Sequence, residues 1–525
     1  PLERRRLMSV LHEASYKVGV GRNPDHLRVY MATQKLAVAG LVPGGFYEPQ
    51  IDPEARSITL QPTRRSKGKN VFKVSRKRPN GNATGVVVPV IDVPAVVLQQ
   101  AFPDGAQTVH VVMETGRVTI KALPNDDAAR ERLLRLKDKL DRGTPLETGE
   151  LCAGGGIMTS AIAEGLNRAG VETHCAFFVD HAHAPVRSAA RNIPQVEPDT
   201  RTMMMGIEQI DPRTLPKVEI LTSGLPCTGA STQGRAKNRN KTVEDHDSAG
   251  HLFIPFLNII QAVQPAIVVL ENVIQFEKSM AMEMIKRMLK IWGYSINMGR
   301  LNGNESGVLE RRTRMVMVAT TGGIPVQIEG LPLEVAPSNR LNDILEDRPP
   351  EGFKWVNYAT PAQMEKRDRD QLKGNNFNNI PLCHGNMTSI PCNGANYYKN
   401  QPSSTRLPHP TDPTLCRTLT PLEHARGKGI PESAINGCTD TLAQMILGNS
   451  VIWPGFVAIG RAIGVALLEA LRIARPTPTI NMHAMLSDWS EPANLVFANH
   501  PSSEFHSSEP GWMNDSRFNG TAGSQ

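Results

Sequence analysis

Cysteine is scarce in this chain: seven in 525 residues, odd in number and irregularly spaced. That excludes a disulfide-stapled scaffold and points to a reducing compartment. No uninterrupted apolar run reaches the roughly 18 residues that cross a bilayer. The nearest candidate, residues 456–471, is broken by Arg461. The opening Pro-Leu-Glu-Arg-Arg-Arg has no apolar signal core, and a chain that begins at Pro1 is expected to be trimmed or processed. Acidic residues are missing altogether between Pro62 and Asn80. Eight basic residues stand there: Arg64, Arg65, Lys67, Lys69, Lys73, Arg76, Lys77 and Arg78. A solvated linker and an arm that follows phosphates are both readings of such a run. In the second reading Arg64, Arg65 and Lys77 are candidate DNA contacts.

What is present suffices for packed cores. Hydrophobic residues make up 40% and charged residues 21%, which excludes a wholly disordered, collagenous or coiled-coil protein. The length predicts about three domains. A formal net charge of +7 permits a polyanionic partner without demanding one.

The basic run is flanked by two similar segments. The first passes through Arg-Val-Tyr-Met (28–31), Leu36, Gly40, Pro43 and Gly44, and ends in Ser-Ile-Thr-Leu (57–60). The second passes through Val-Pro-Val-Ile (88–91), Leu98, Phe102, Pro103 and Gly105, and ends in Arg-Val-Thr-Ile (117–120). Each predicts a strand, a short apolar helix, a turn and two strands, and the pair reads as an internal duplication. The first copy resembles the AbrB/SymE-like small β domains. That resemblance implies nucleic-acid binding by a pseudo-dimer.

The boundaries expected from the sequence are a duplicated β-rich, nucleic-acid-binding domain over 1–125, a connecting helix over 126–146 and an α/β domain over 147–330. An irregular domain follows over 331–415, then a segment over 416–475 that returns to the α/β domain, and a flexible tail over 476–525. In the α/β segment short apolar strands (177–179, 220–222, 267–270, 315–319) alternate with amphipathic helices such as 157–169, which predicts a parallel α/β sheet. Residues 331–415 are rich in Pro, Asn and Gly and read as an irregular module presenting loops.

Four signals carry chemistry. Glu150-Leu-Cys-Ala-Gly-Gly-Gly156 runs from a strand into a glycine turn before a helix, where backbone can approach a ligand closely. This first signal gains weight from Phe177-Phe-Val-Asp180, which ends the next strand in a carboxylate able to hold ribose hydroxyls or to cap a helix. Ser223-Gly-Leu-Pro-Cys227 puts one cysteine at the carboxyl edge of the sheet, before a loop with Arg235, Lys237, Arg239 and Lys241. Positive charge there favours thiolate and attracts phosphates. Val268-Val-Leu-Glu271 ends a third strand in a carboxylate whose burial would keep a proton available. Arg312 and Arg314, two apart, are expected to share one face and hold an oxyanion, a base edge or a phosphate.

In this order the signals resemble the cytosine-5 DNA methyltransferases, over about residues 150–474. The late elements Arg417-Thr-Leu-Thr-Pro-Leu-Glu423 and Leu447-Gly-Asn-Ser-Val451 belong to the same resemblance. It implies an α/β fold: a Rossmann-like S-adenosylmethionine-dependent methyltransferase domain, a mostly irregular or β target-recognition domain and the β-rich N-terminal extension. It further implies that Cys227 is the thiolate that adds to cytosine C6, that Glu271 donates to N3, and that Arg314, with Arg312, fixes the base carbonyl. S-adenosylmethionine would lie over Gly154, Gly155 and Gly156, with Asp180 on its ribose and His181, Ile207, Pro226, Leu252, Asn449 and Val451 around it. The loop 228–250 would close on a flipped base, with Ser231, Arg235, Lys237 and Arg239 on the DNA backbone.

The implied partner is double-stranded DNA, with a separate restriction endonuclease as a further possible partner. The implied setting is a prokaryotic or phage-encoded cytoplasmic protein. Methylation of RNA cytosine, and a DNA-binding regulator with a degenerate methylase domain, are the alternatives.

The sequence also departs from the family. Cys152 stands where Phe is usual, His181 where a large aromatic is usual, and Gly206 where an acid is usual, with Glu208 nearby. Thr228 and Glu310 each replace a Gln. In 331–415, Trp355, Tyr358, Tyr397, Tyr398, Arg367 and Arg369 are candidate base readers. Cys383, His384 and Cys392 match no common zinc spacing, so no metal is expected.

Overall fold

A computed structural model of the chain describes residues 12–20, 27–68, 70–78, 87–103, 105–106, 108–226, 251–332, 340–348, 350–358, 382–399 and 404–471, with four isolated positions between 365 and 372. Cys227, Ser231, Arg235, Lys237, Arg239 and Arg367 lie outside the described residues, as does the tail beyond 471.

The N-terminal strands alternate buried and half-exposed residues, as a sheet with one packed face requires. They are β1 (His12–Lys17), β2 (Gly19–Val20), β3 (Leu27–Ala32), β4 (Phe46–Asp52), β5 (Ser57–Thr63), β6 (Phe72–Lys73), β7 (Ser75–Lys77), β8 (Val88–Val93), β9 (Thr108–Glu114) and β10 (Arg117–Ala122). One sheet runs β1-β9-β10-β5-β4-β6 and the other β2-β3-β8-β7. Met31 pairs with Ile91, and Thr59 pairs with Thr119. Both pairs are sixty residues apart, so the two halves meet about a local twofold. They also exchange edges: β1 pairs with β9 of the second half, and β6 pairs with β4 of the first. One cluster that includes Val29, Met31, Ile58, Leu60, Ile91, Val111, Val118 and Ile120 fills the space between the sheets.

The β4–β5 hairpin has two distinct ends. Its turn carries Arg56, held in the left-handed region at φ 44°. Arg56 pairs with Asp127 at 3.0 Å and donates to the Gly105 carbonyl at 3.2 Å. Its open end leads into Arg64 and Arg65, which are exposed, as is Lys77 in β7.

The connecting segment forms a helix over Pro124–Arg142, not over 126–146. Pro124 can open a helix because its missing N–H would be unpaired there anyway, and Gly143 closes it at φ 63°. This helix lies along the amino edge of the catalytic sheet. Arg132 is 1% exposed, donates to Gln264 at 2.6 Å and the Trp292 carbonyl at 2.5 Å, and stacks on Tyr294. Arg135 pairs with the buried Glu219 at 2.7 Å.

The catalytic strands are β11 (Leu146–Leu151), β12 (Thr173–Val179), β13 (Arg201–Met203), β14 (Ile220–Gly224), β15 (Ile267–Asn272), β16 (Tyr294–Asn302) and β17 (Thr313–Thr321). Their order is β13-β12-β11-β14-β15-β17-β16. The first five are parallel, and β17 runs antiparallel to both β15 and β16. Strands covered on both faces need apolar residues at successive positions. Ile267 and Val269 accordingly enter one core, while Val268 and Leu270 enter the other.

The C-terminal segment returns to this sheet through the helix Trp453–Ala470. Pro454 in its first turn suits the start, where its missing N–H would be unpaired anyway. The helix is apolar and long enough to span a membrane by length and composition, yet 61% of it is buried in the protein. It crosses the helix Ile157–Arg168 backbone to backbone. A Cβ on Gly165 would sit 2.0 Å from the Val457 carbonyl, and one on Gly460 would sit 2.2 Å from the Ile162 carbonyl. The region 331–415 has little regular structure among its described residues. Part of it forms a small cluster of Leu341, Ile344, Cys383, Ile390, Tyr397 and Leu407, joined by Leu309 and Leu419.

Candidate active site

Five segments of the candidate site reach one edge of the sheet because four of the five parallel strands, β11, β12, β14 and β15, deliver them at their ends and antiparallel β17 begins there. In a doubly wound sheet ligands bind at this edge, where the strand order reverses between β11 and β14.

After β11 the chain turns through Cys152 at φ 54°, Gly154 at φ 55° and Gly156 at φ 75°. A non-glycine residue in this region costs about 1 kcal/mol, so Cys152 is held in a mildly strained turn. Burial pushes its thiol up, with Asp180, Glu208 and Glu150 adding to the effect, which disfavours the thiolate. Gly155 is packed so closely that a Cβ would meet Ile446 at 2.5 Å. Above Gly154 the space is open, with nothing within 4 Å of where a Cβ would be.

Asp180 follows β12 and is 8% exposed. One carboxylate oxygen accepts from the Gly154 N–H at 2.8 Å and the other from the Ala182 N–H at 2.8 Å. It does not cap the helix His183–Asn192, whose N-terminus has no side-chain cap. The carboxylate instead ties the glycine turn to the end of the second strand, leaving lone pairs on both oxygens. His181 next to it is largely exposed, with Nδ1 3.3 Å from Asp180. Ile207 and Leu252 are buried in the same core as Leu151 and Val179. Glu208 is exposed, and Val451 is buried beside the exposed Asn449.

On the other side of β11, Gly224 at the end of β14 is in register with Glu271 at the end of β15. Asn272 is 1% exposed. Its amide donates to the Leu225 carbonyl at 3.1 Å, and its carbonyl oxygen accepts from the Val273 N–H at 2.8 Å. The turn through Pro226, which leads to residue 227, is thereby held beside Glu271. Sequence reasoning gave Asn272 no role. A polar residue ending an apolar strand was the available signal.

Arg314 Nε stands 3.0 Å from Glu271 Oε1, and both side chains are mostly buried. Arg312 precedes β17 and does not share its regular alternation. It is 5% exposed, donates from Nη1 to the Gly448 carbonyl at 3.3 Å, and lies 3.5 Å from Cys392 Sγ. The two arginines therefore reach different partners: Arg314 the Glu271 carboxylate, Arg312 the C-terminal segment.

Tyr397, a candidate base reader from sequence, is fully buried. Its hydroxyl donates to the Thr405 carbonyl at 2.7 Å and accepts from the Leu419 N–H at 2.7 Å. It belongs to the interior because both faces of its ring are packed, whereas Tyr398 beside it is 41% exposed. Trp355 packs edge-on to His409, and the Arg406 guanidinium lies over Tyr358.

A family model for C-5 cytosine-specific DNA methylases matches residues 146–465. The Type II methyltransferase M.NlaX of Neisseria lactamica is 27% identical over 274 residues, covering 51% of this chain and 82% of that protein. The Type II methyltransferase M.SsoII of Shigella sonnei is 27% identical over 262 residues, 49% of this chain and 66% of that protein. The Dnmt2 methyltransferase of S. pombe superposes with a TM-score of 0.46 at 20% identity, over 62% of this chain and 99% of its own. The family match takes in more than half of the 525 residues and every strand of the catalytic sheet, and the chain belongs to the C-5 cytosine-specific DNA methylases, which are S-adenosylmethionine-dependent DNA (cytosine-5) methyltransferases.

Proposed function

We propose that the chain methylates C5 of a cytosine turned out of duplex DNA, through a covalent bond between Cys227 and C6. The observation that carries this reading is the carboxyl edge itself: Glu271 paired with Arg314, in register with Gly224, three residues before Cys227. Cytosine C5 is a weak nucleophile. Addition of a thiolate at C6, with a proton delivered to N3 by Glu271, turns C5 into an enamine-like carbon able to attack an electrophile. Arg314 holds the Glu271 carboxyl in place and presents its remaining N–H groups to the base carbonyl. An extrahelical base is required because the thiolate attacks from above the ring. After methyl transfer, removal of the C5 proton by a base expels the Cys227 sulfur and restores the aromatic ring.

The residues at the glycine turn fit S-adenosylmethionine. Open space lies over Gly154, the Asp180 carboxylate stands beside it with free lone pairs, and Ile207, Leu252 and Val451 supply apolar surface. When bound, the cofactor supplies the electrophilic methyl group. Gly154, Gly155, Gly156, Asp180, His181, Pro226 and Asn449 are proposed as its remaining contacts. Ser231, Arg235, Lys237 and Arg239 are proposed to hold the DNA backbone.

Arg64, Arg65 and Lys77 are proposed as additional phosphate contacts. Arg64 and Arg65 follow the end of the β4–β5 hairpin opposite Arg56, the residue that meets the connecting helix, so the phosphates they hold lie away from the catalytic edge, while Lys77 stands in β7 of the other sheet, paired with Val88. A restriction endonuclease encoded as a separate chain is proposed as the counterpart of the activity.

Bisulfite sequencing of DNA from cells expressing the chain, beside Cys227→Ala, tests the reading. Protected cytosines in one short motif, lost in Cys227→Ala, are expected. Protection that persists in Cys227→Ala overturns the mechanism. Protection confined to RNA overturns the substrate.

A further inference from the structure

The strand motif that carries Arg312 and Arg314 opens with Glu310, where the family resemblance leads one to expect Gln. Glu310 is fully buried, and so are Lys428 and His424. Lys428 Nζ stands 3.3 Å from Glu310 Oε1, and His424 Nε2 stands 3.6 Å from Oε2. A buried carboxylate and a buried ammonium are each costly alone, and either becomes tolerable through its partner. The exchange of Gln for Glu at 310 is thus accounted for by a lysine 118 positions later.

The pair also holds something. Lys428 Nζ donates to the Leu447 carbonyl at 2.6 Å, and Arg312 Nη1 donates to the Gly448 carbonyl at 3.3 Å. These are among the last carbonyls of the helix Asp440–Asn449 and lie at its negative end, where the Leu447 carbonyl also accepts from the Ser450 N–H at 3.2 Å and the Ser450 hydroxyl at 2.6 Å. The next residues are Asn449, Ser450 and Val451. The same helix end is pressed against the recognition region, where a Cβ on Gly448 would lie 2.3 Å from Gly394 backbone. The helix is also tied to the pair through Gln444, whose carbonyl oxygen lies 2.6 Å from His424 Nδ1.

We propose that Glu310 and Lys428 are a positioning pair: they hold the final carbonyls of the helix Asp440–Asn449, and through them the Asn449–Val451 wall of the cofactor site, in register with Arg312. This rests on the cofactor site proposed above. Neither residue touches cofactor or base. Their effect is transmitted by the helix end that they grip.

The pair titrates within reach. Burial pushes Lys428 down to about 8, Glu310 opposes the shift, and Arg312 adds to it. The other groups facing it are Cys392 from the recognition region and, across Glu310, His424, which burial keeps neutral. Between pH 7 and 9 Lys428 loses its charge and its attraction to Glu310. If the charged pair is what seats the wall, the dissociation constant of a cofactor analogue should rise about tenfold over that range. Stability should move the other way. The folded-state value lies below the 10.5 of a free lysine, so between about pH 8 and 10.5 the unfolded chain binds more protons and this group stabilises the fold as pH rises. A merely structural pair would make affinity follow stability.

The test is calorimetric binding of S-adenosylhomocysteine to the full chain at pH 7, 8 and 9, with thermal unfolding at each pH, for wild type, Glu310→Gln, Lys428→Met and Asp180→Ala. Wild-type affinity is expected to weaken about tenfold from pH 7 to 9. Glu310→Gln should bring that weakening to lower pH, because Lys428 loses its counter-charge. Lys428→Met should bind weakly and without dependence on pH. Wild-type affinity that stays flat from pH 7 to 9, while Asp180→Ala still abolishes binding, overturns the positioning pair and leaves the cofactor site standing. Failure of wild type to bind at pH 7, or equal binding by Asp180→Ala, overturns the cofactor site and the pair with it. Because Glu150 beside the glycine turn also titrates at about 8, the same profile is measured in Glu150→Gln, where the tenfold weakening should persist; its loss there overturns the pair.

Discussion

Asn272 donates its amide hydrogen to the carbonyl of Leu225, and so binds the strand ending in Glu271 to the turn that precedes Cys227. The two groups proposed to act on one cytosine ring follow different strands, and this buried bond is a direct polar link between the end of β15 and the turn after β14. Asn272→Ala leaves the Leu225 carbonyl and the Val273 N–H without side-chain partners in a buried place, at a cost of about 1–3 kcal/mol. A misplacement of about 1 Å at the nucleophile costs on the order of a hundredfold in rate. Methyl transfer in a single turnover should therefore fall on the order of a hundredfold with DNA affinity unchanged. A rate within twofold of wild type would show that the bond does not position the nucleophile.

Glu271→Gln keeps the shape of the side chain and its neighbourhood with Arg314, but removes the transferable proton. A positioned general acid contributes roughly a hundredfold to ten-thousandfold, so kcat should drop by at least about a hundredfold while KM for DNA stays within a few-fold. A loss that appears in KM alone would reassign Glu271 from proton donor to binding contact.

The candidate positions Asp180 and Glu271 stand out in the sequence because each ends an apolar strand in a polar residue, after Phe177–Val179 and Ile267–Leu270, and the structure puts both at one edge of the sheet. The duplication was legible because its apolar positions recur, and Met31 facing Ile91 is the same repeat expressed as pairing. Partnerships made only by folding were not legible. Glu310 and Lys428 are far apart in the chain, and nothing local marks either as half of a pair. Tyr397 and Tyr398 are identical and adjacent in sequence, yet one hydroxyl is sealed between Thr405 and Leu419 while the other ring meets solvent. Composition cannot distinguish them, because the decision belongs to the packing of three distant segments.

The basic arm is testable through salt. Each phosphate contact adds about 0.9 to the slope of log affinity against log salt. Arg64→Gln, Arg65→Gln and Lys77→Gln together, in the full chain, should lower that slope by roughly two to three for a long duplex. A short duplex confined to the catalytic edge should not report the loss of Arg64 and Arg65, which follow the end of the β4–β5 hairpin opposite the Arg56 contact with the connecting helix. An unchanged slope on the long duplex removes the arm from the DNA interface.

Glu150 offers a test of the catalytic core by pH. It is buried at the end of β11, where burial pushes its carboxyl up to about 8, against the opposing hydrogen bond from Thr159 and with Asp180 adding to the rise. Its Oε2 has no partner among the described residues. An ordinary glutamate loses its proton near 4.5, whereas the folded chain keeps this one until about 8. Between those values the folded state therefore holds more protons than the unfolded state, and stability falls as pH rises. Across the window the loss from this one group is of the order of several kcal/mol at most. Glu150→Gln, a neutral side chain of the same shape, should flatten the decline between pH 5 and 8. Denaturant unfolding at pH 5.5, 6.5 and 7.5 reads the difference directly. Parallel declines in the two proteins would mean that Glu150 is already ionised in the folded chain, and that the glycine turn beside it is wetter than its burial implies.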